Sequence, residues 1–159
     1  MIERDIKKYF PYDTPRKAQV DAIEFAVDAF LKSDKKYCII EAGTGVGKSA
    51  IGLTLGRILD KHLVADDDYQ EGTYFLTTQK VLQEQYENDF GSSRGNMCSV
   101  YSSSNYKGGW HKKNDCRTSM QMLRTAKKGS GFFKHCTQKC QYKNSKKSFL
   151  DSRESVTNF

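Results

Sequence analysis

The stretch Glu41–Gly52, EAGTGVGKSAIG, constrains this chain more than any other part of it. Its centre, Ala42-Gly43-Thr44-Gly45-Val46-Gly47-Lys48-Ser49, has the Walker A spacing with alanine in the first glycine position. Small residues let a backbone bend around phosphate oxygens, so that several N–H groups and the start of the next helix aim at one anion. Lys48 would set a point charge against the β and γ phosphates of ATP, and Ser49 would put its hydroxyl on Mg²⁺. The motif requires a strand before it and a helix after it, so it dictates local fold as well as ligand. The plain alternative is a glycine-rich turn that binds nothing.

Both flanks fit the requirement. Tyr37–Glu41, YCIIE, is a short apolar run with β-branched residues, suited to a buried parallel strand in which Cys38 is a small core residue. Lys48–Leu63 reads as a helix with Ile51, Leu55, Ile58 and Leu59 on one face. Upstream, Thr14 and Pro15 read as the cap and first-turn proline of a helix reaching about Lys32, with Ala22/Ile23, Ala26/Val27 and Phe30/Leu31 at helical spacing. Downstream, Thr73–Thr78 predicts a second strand, and Gln79–Phe90 a helix with Val81, Leu82, Tyr86 and Phe90 along one side. That order predicts an α/β nucleotide-binding unit of parallel strands flanked by helices.

Hydrolysis asks for more than the loop. Carboxylates must hold Mg²⁺ and orient the attacking water, and in the Walker B arrangement they form an Asp-Glu pair at the end of an apolar strand. The chain contains no Asp-Glu dipeptide. Its one dense acidic cluster, Asp66-Asp67-Asp68, has no apolar strand leading into it and reads as solvated surface.

Past Phe90 the composition changes. Residues 91–150 hold thirteen Lys or Arg and a single acid, Asp115, a net +12 against −5 for the remainder. Such asymmetry points to a polyanionic partner, because neutralising phosphates releases condensed counterions; a solvated basic face is the alternative. Gly, Ser, Asn and Lys dominate this segment, which shows no clear period apart from a helix expected around Thr118–Lys128. It has too little apolar material to be held by burial alone. No apolar run in the chain approaches the ~20 residues that cross a bilayer, so no membrane span is expected. The N-terminal MIERDIKKYF lacks the apolar segment of a secretory signal. The expected location is cytoplasmic, or nuclear or in a host's cytoplasm depending on the source.

Without an export signal, five cysteines argue for ligation over disulfides. Cys98, Cys116, Cys136 and Cys140 all lie in the basic segment, with 17, 19 and 3 residues between them. Four thiolates can bind Zn²⁺ tetrahedrally or hold a [4Fe-4S] cluster. One close pair where zinc sites usually show two leaves both open, together with uninvolved thiols. His111 and His135 could replace a thiolate at a zinc ion, or serve as surface and packing residues.

Taken in order, these pieces resemble the N-terminal part of the iron-sulfur helicases of superfamily 2, the XPD and DinG group. YFPYDTPRKAQVDAI, Tyr9–Ile23, is similar to the opening segment of that family, EAGTGVGKSAIG to its motif I, and YFLTTQKVLQEQYENDF, Tyr74–Phe90, to its motif Ia. The cysteine-rich segment follows motif Ia, where the family inserts its cluster domain. The resemblance implies a partial RecA-like P-loop motor domain carrying an irregular, mostly helical or looped insertion. Residues 1–90 would be the front of motor domain 1, 91–150 the cluster domain and 151–159 a return segment. It implies adenine contacts from Phe10-Pro11-Tyr12, Arg16 and Gln19, and a [4Fe-4S] cluster on Cys98, Cys116, Cys136 and Cys140, with zinc as the alternative. It further implies a DNA backbone near Thr77, Thr78 and Gln79, and ATP-driven 5′-to-3′ unwinding of single-stranded or forked DNA.

Two departures stand out. The family's K-G-R-x-N-Y-x-C lead-in appears only as Ser93–Cys98, SRGNMC. Relatives also run on past ESVTNF into a DEAH box and a second motor domain, so the resemblance implies that those parts are missing here and that the chain alone does not unwind DNA. Tyr101, Tyr106, Trp110, Phe132, Phe133 and Tyr142 offer rings for base stacking, about half of them expected to pack inward instead. The competing reading is a non-catalytic nucleic-acid-binding module with a zinc or cluster site and a vestigial loop. A small P-loop kinase with a zinc lid comes third, disfavoured by the missing carboxylate.

Overall fold

The computed structural model describes residues 2–33, 35–62, 72–91, 97–110, 114–138 and 140–158, which leaves Asp66–Asp68 and His111 outside the described residues. The chain divides into two compact units, Met1–Thr73 and Tyr74–Phe159.

The first unit is helical. Helix α1, Ile2–Tyr9, escaped the sequence reading, although Ile2, Ile6 and Phe10 recur every four residues along one face. Helix α2, Lys17–Val27, is followed by a wider π turn over Asp28–Lys32. It starts two residues later than Thr14-Pro15 implied, because Arg16 is the cap residue and its backbone N–H donates to Gln19 Oε1 at 2.8 Å. Helix α3 runs from Lys48 to His62 directly after the glycine loop. Ile6 and Phe10 of the α1 region, Ile23 and Val27 of α2, and Ala50, Ile51 and Ile58 of α3 form one buried cluster. Each full burial of such an aliphatic or aromatic side chain stabilises by about 1.5–3 kcal/mol. Thr54 sits buried beside them with its hydroxyl donating to Ala50 O at 2.7 Å.

The expected strand Tyr37–Glu41 is not a strand. Tyr37 is 86% and Ile39 90% exposed, and Cys38 is half-buried and outside the core. Only Ile40 packs against the cluster. A parallel strand is stabilised by its neighbours, and the described residues 2–62 contain no strand to pair with it, so the run remains an irregular lead into the loop.

The second unit holds the sheet. Strand β1, Thr73–Thr77, leads to helix α4, Lys80–Phe90; strand β2 is Cys98–Val100 and strand β3 Glu154–Asn158, with order β1-β3-β2. Strands β2 and β3 are parallel, with Cys98 opposite Ser155, Ser99 opposite Val156 and Val100 opposite Thr157. Between them lie helices α5, Cys116–Leu123, α6, Gly131–Gln138, and α7, Gln141–Asp151. Helix α5 starts earlier than the expected Thr118 because Asp115, the lone acid of the basic segment, caps it: Oδ1 accepts the Thr118 N–H at 2.6 Å. That bond holds the Asp115 carboxyl below its ordinary pKa.

Helix α4 also departs from expectation. Val81 is 70% exposed and Leu82 is exposed as well, while Gln83 is fully buried. The reason is polar: Gln83 Nε2 donates to Ser99 Oγ and to Val100 O at 3.0 Å, tying α4 to β2. Among the described residues its Oε1 meets no hydrogen-bond donor. Phe90 and the half-buried Tyr86 supply the apolar part of this face, their rings 5.6 Å apart. The fold is α/β, a small sheet with parallel strands and flanking helices of the partial RecA-like kind. No described helix is long and apolar enough to cross a membrane.

Candidate nucleotide loop and cysteine cavity

In the first unit the loop takes the form that its glycines permit. Gly45 and Gly47 have φ of +78° and +84°, in the left-handed region that other residues enter at a cost. Lys48 opens α3 and folds its ammonium back onto the loop, donating to Ala42 O at 3.1 Å and Gly43 O at 3.0 Å. Ser49, next in the helix, is half-buried. Two residues from the α2 start grip the other side: Arg16 Nη1 donates to Gly45 O at 3.0 Å, and Gln19 Nε2 donates to Val46 O at 2.8 Å. Gly47 leaves no room for a side chain, since a Cβ there would lie 2.6 Å from Gln19 Nε2. Arg16, Gln19, Ala42–Gly47 and Lys48 are thus one connected set. A loop of this shape at a helix N-terminus offers backbone N–H groups to an anion.

A second polar knot in this unit was not legible beforehand. Asp5, 4% exposed, accepts from Lys61 Nζ at 2.6 Å and lies 2.9 Å from His62 Nε2. Lys61 first, then His62, hold its carboxyl below the ordinary value.

In the second unit the proposed DNA-facing residues are not equivalent. Thr77 is buried, its hydroxyl between Gln79 O at 3.2 Å and Thr157 O at 3.3 Å. Thr78 and Gln79 are exposed.

Of the four basic-segment cysteines, three come together. Cys116 is the first residue of α5, Cys136 lies in α6 and Cys140 caps α7; with His135 they line one cavity of about 110 Å³. Cys116 Sγ and Cys140 Sγ are 3.5 Å apart. Cys98, at the start of β2, is not among the lining residues. Among the described residues no three His, Cys, Asp or Glu side chains stand so as to hold a metal ion. Burial, then the neighbouring Cys140, pushes the Cys116 thiol up to about 12, and burial also raises Cys136. A thiophilic ion would have to displace those protons to bind.

The cavity wall was missed in the sequence, though Gly108-Gly109 marked it. A Cβ on Gly108 would meet Ser119 Oγ, and one on Gly109 would collide with the His135 ring. Of the six candidate stacking rings, Tyr101, Tyr106, Phe132, Phe133 and Tyr142 are half-buried and Trp110 alone is exposed, so fewer are open than the half expected. The Tyr106 and Tyr142 rings meet in a tilted contact with centroids 5.4 Å apart, and Tyr101 donates its hydroxyl to Glu87 at 2.6 Å. Burial first, and Glu87 second, raise the Tyr101 pKa to about 12. Trp110 is 49% exposed, in edge contact with Phe132.

Residues 13–155 match the family described as the type III restriction enzyme, res subunit. No curated protein and no solved structure matches the chain. The match runs from the α2 cap through the loop and the cysteine cavity into β3, nearly the full length. The chain therefore belongs to the type III restriction res subunit family, helicase-like ATPases of superfamily 2 that use ATP and Mg²⁺ and act on nucleic acid.

Proposed function

We propose that the chain grips nucleotide in an ATP-dependent, 5′-to-3′ DNA helicase of the iron-sulfur type, acting on single-stranded or forked DNA. The observation that carries the iron-sulfur assignment is the gathering of Cys116, Cys136 and Cys140 around one cavity, in the unit that also carries the motif Ia strand and helix. Three soft sulfur donors suit a thiophilic centre in kind, although as they stand here they do not form a group of three that holds a metal ion, so binding would have to draw them closer. Cys116, Cys136 and Cys140 would hold it, with Cys98 as fourth ligand. A cluster, when bound, would supply iron-sulfur bonds to those thiolates, which suits a lobe with little apolar core.

The chain's own residues do the rest. Lys48, which here donates to the Ala42 and Gly43 carbonyls, would meet the β and γ phosphates, and Ser49 would offer its hydroxyl to Mg²⁺. Lys143, Lys146 and Lys147 stand exposed on α7 to neutralise DNA phosphates, and Trp110 presents a half-exposed ring for a base. The sequence contains no Asp-Glu pair of the Walker B kind. The same lack favours a second reading, a nucleic-acid-binding module with a vestigial loop.

Anaerobically purified protein tests the proposal. It should be brown, with broad absorbance near ~400 nm and iron in the chain. A colourless protein holding zinc, or no metal, defeats the iron-sulfur assignment. Lys48→Ala should weaken Mg-ATP binding by about 10- to 100-fold, the worth of a charged contact, and leave intact the affinity for single-stranded DNA measured without nucleotide. Nucleotide binding unaffected by that change would support the vestigial-loop reading.

A further inference from the structure

Within the set of three cysteines that line the cavity, two form a pair. Cys116 Sγ and Cys140 Sγ touch at 3.5 Å, whereas the three thiols together do not make a group that holds a metal ion. A disulfide places its sulfurs about 2.0 Å apart, so closing this pair asks for an approach of roughly 1.5 Å. One side is anchored and the other can turn. Cys116 is the first residue of α5, and its backbone N–H donates to Tyr106 O at 2.7 Å. Cys140 precedes α7 with an extended backbone, and its side chain makes no cap bond to that helix. The two also differ in access. Cys116 and Cys136 are buried and Cys140 is half-buried, so an oxidant arriving from solvent meets Cys140 first.

We infer that Cys116 and Cys140 are a modification site, a dithiol that a peroxide closes into a disulfide, which withdraws two of the three convergent donors from any metal. The pairing stands on the sulfur contact alone; its effect on metal rests on the reading of the cavity given above. The Cys140 sulfur attacks one oxygen of the peroxide, the O–O bond breaks, and with hydrogen peroxide the other oxygen leaves as water with the thiol proton, giving a sulfenic acid at Cys140. The Cys116 sulfur then attacks Cys140, the S–O bond breaks, and the hydroxyl leaves as water with the Cys116 proton. Two electrons pass from the two sulfurs to the peroxide, and a dithiol reductant returns them. Burial that keeps Cys116 protonated slows the second step without changing its product. The bond would join the starts of α5 and α7 through cysteines 24 residues apart in sequence.

The test strips the full chain of metal with a chelator under a thiol reductant, exposes it to hydrogen peroxide, blocks the remaining thiols and maps the linked tryptic peptides by mass spectrometry. Cys116 and Cys140 fall on separate peptides, Asn114–Arg117 and Cys140–Lys143, and Cys136 falls on a third. The link between Cys116 and Cys140 should exceed either link through Cys136 by about tenfold, the advantage of sulfurs already in contact. Cys136→Ser should keep that link and Cys140→Ser should abolish it; the wild-type map decides the pairing by itself if a variant fails to fold. Zn²⁺ serves as the metal probe. The oxidised chain should bind it more weakly than the reduced chain by more than the roughly tenfold that loss of a supporting group costs, and dithiothreitol should restore the affinity. Links through Cys136 in equal amount, or Cys116 and Cys140 recovered as unlinked thiols or acids, overturn the pairing. Equal Zn²⁺ affinity before and after oxidation overturns the effect on metal. If the reduced chain binds no Zn²⁺, the reading of the cavity as a thiophilic site fails, and the peptide map still judges the disulfide.

Discussion

Gly47→Ala should cost far more than the methyl group suggests, and most of the excess should vanish when Gln19 is removed first. Two terms add at this position. The residue has φ of +84°, where alanine is strained by roughly 1–2 kcal/mol. The new Cβ would also lie 2.6 Å from Gln19 Nε2, forcing the amide off Val46 O and leaving a buried donor without its bond, about 1–2 kcal/mol more. The total is about 2–4 kcal/mol in urea unfolding followed by far-UV circular dichroism. In a Gln19→Ala background nothing remains for the Cβ to strike, so Gly47→Ala should then cost only the backbone term. The double-mutant cycle should report a coupling of about 1–2 kcal/mol. Gly45→Ala is the internal control: its φ is +78° but no atom lies within 4 Å of its Cβ, so it should cost the backbone term in either background. Equal costs for Gly47→Ala in both backgrounds, within ~0.3–0.5 kcal/mol, would refute the contact between loop and amide.

Two further outcomes follow from buried polar groups and from the cavity wall. Asp5→Asn should lower stability at pH 7 by about 1–2 kcal/mol, less than a fully buried pair because Lys61 is 42% exposed and can return to water. The Asp5 carboxyl is held below its ordinary 3.8, so its contribution is complete above about pH 4 and is lost as the pH falls through the lower folded value. Urea midpoints of wild type and variant should therefore converge below about pH 4, and a gap that stays constant with pH would show that the charge is not what ties α1 to α3. Gly109→Ala should push a methyl group into the His135 ring and disturb the cavity that Cys116, Cys136 and Cys140 line. Metal content per chain, measured by elemental analysis, should drop several-fold, as when the groups around a metal's ligands are displaced; unchanged content would place the ligands elsewhere.

What could be read in advance depended on the range of the interaction. The loop was legible because its requirements are local: glycine where φ is positive, lysine at the first turn of α3, a helix at once behind it. Helices α2 and α4 were legible in extent for the same reason, through periodic apolar residues. Their finer choices were not. The α2 start depends on a bond from Arg16 to Gln19, and Gln83 is interior because Ser99 and Val100, more than a dozen residues further on, accept its hydrogens. The run Tyr37–Glu41 has the composition of a buried strand, but composition does not supply a neighbour, and Tyr37 and Ile39 are left exposed. Strand β2 fails in the opposite direction: three residues starting at a cysteine carry no period, and they become a strand only because residues 155–157 arrive beside them.

The cysteine site shows the same limit at the level of chemistry. Intervals of 17, 19 and 3 residues say which donors exist and nothing about which of them converge. Convergence is decided by where the helices begin. Asp115 caps α5 and so fixes Cys116 as its first residue, while Cys140 is itself the cap of α7, and these two starts bring the sulfurs to 3.5 Å. Replacing that one acid therefore acts on the thiols as well as on the helix. A basic segment with a single carboxylate has spent it on a helix start, where it meets a backbone N–H and leaves the surrounding lysines and arginines to face an anionic partner.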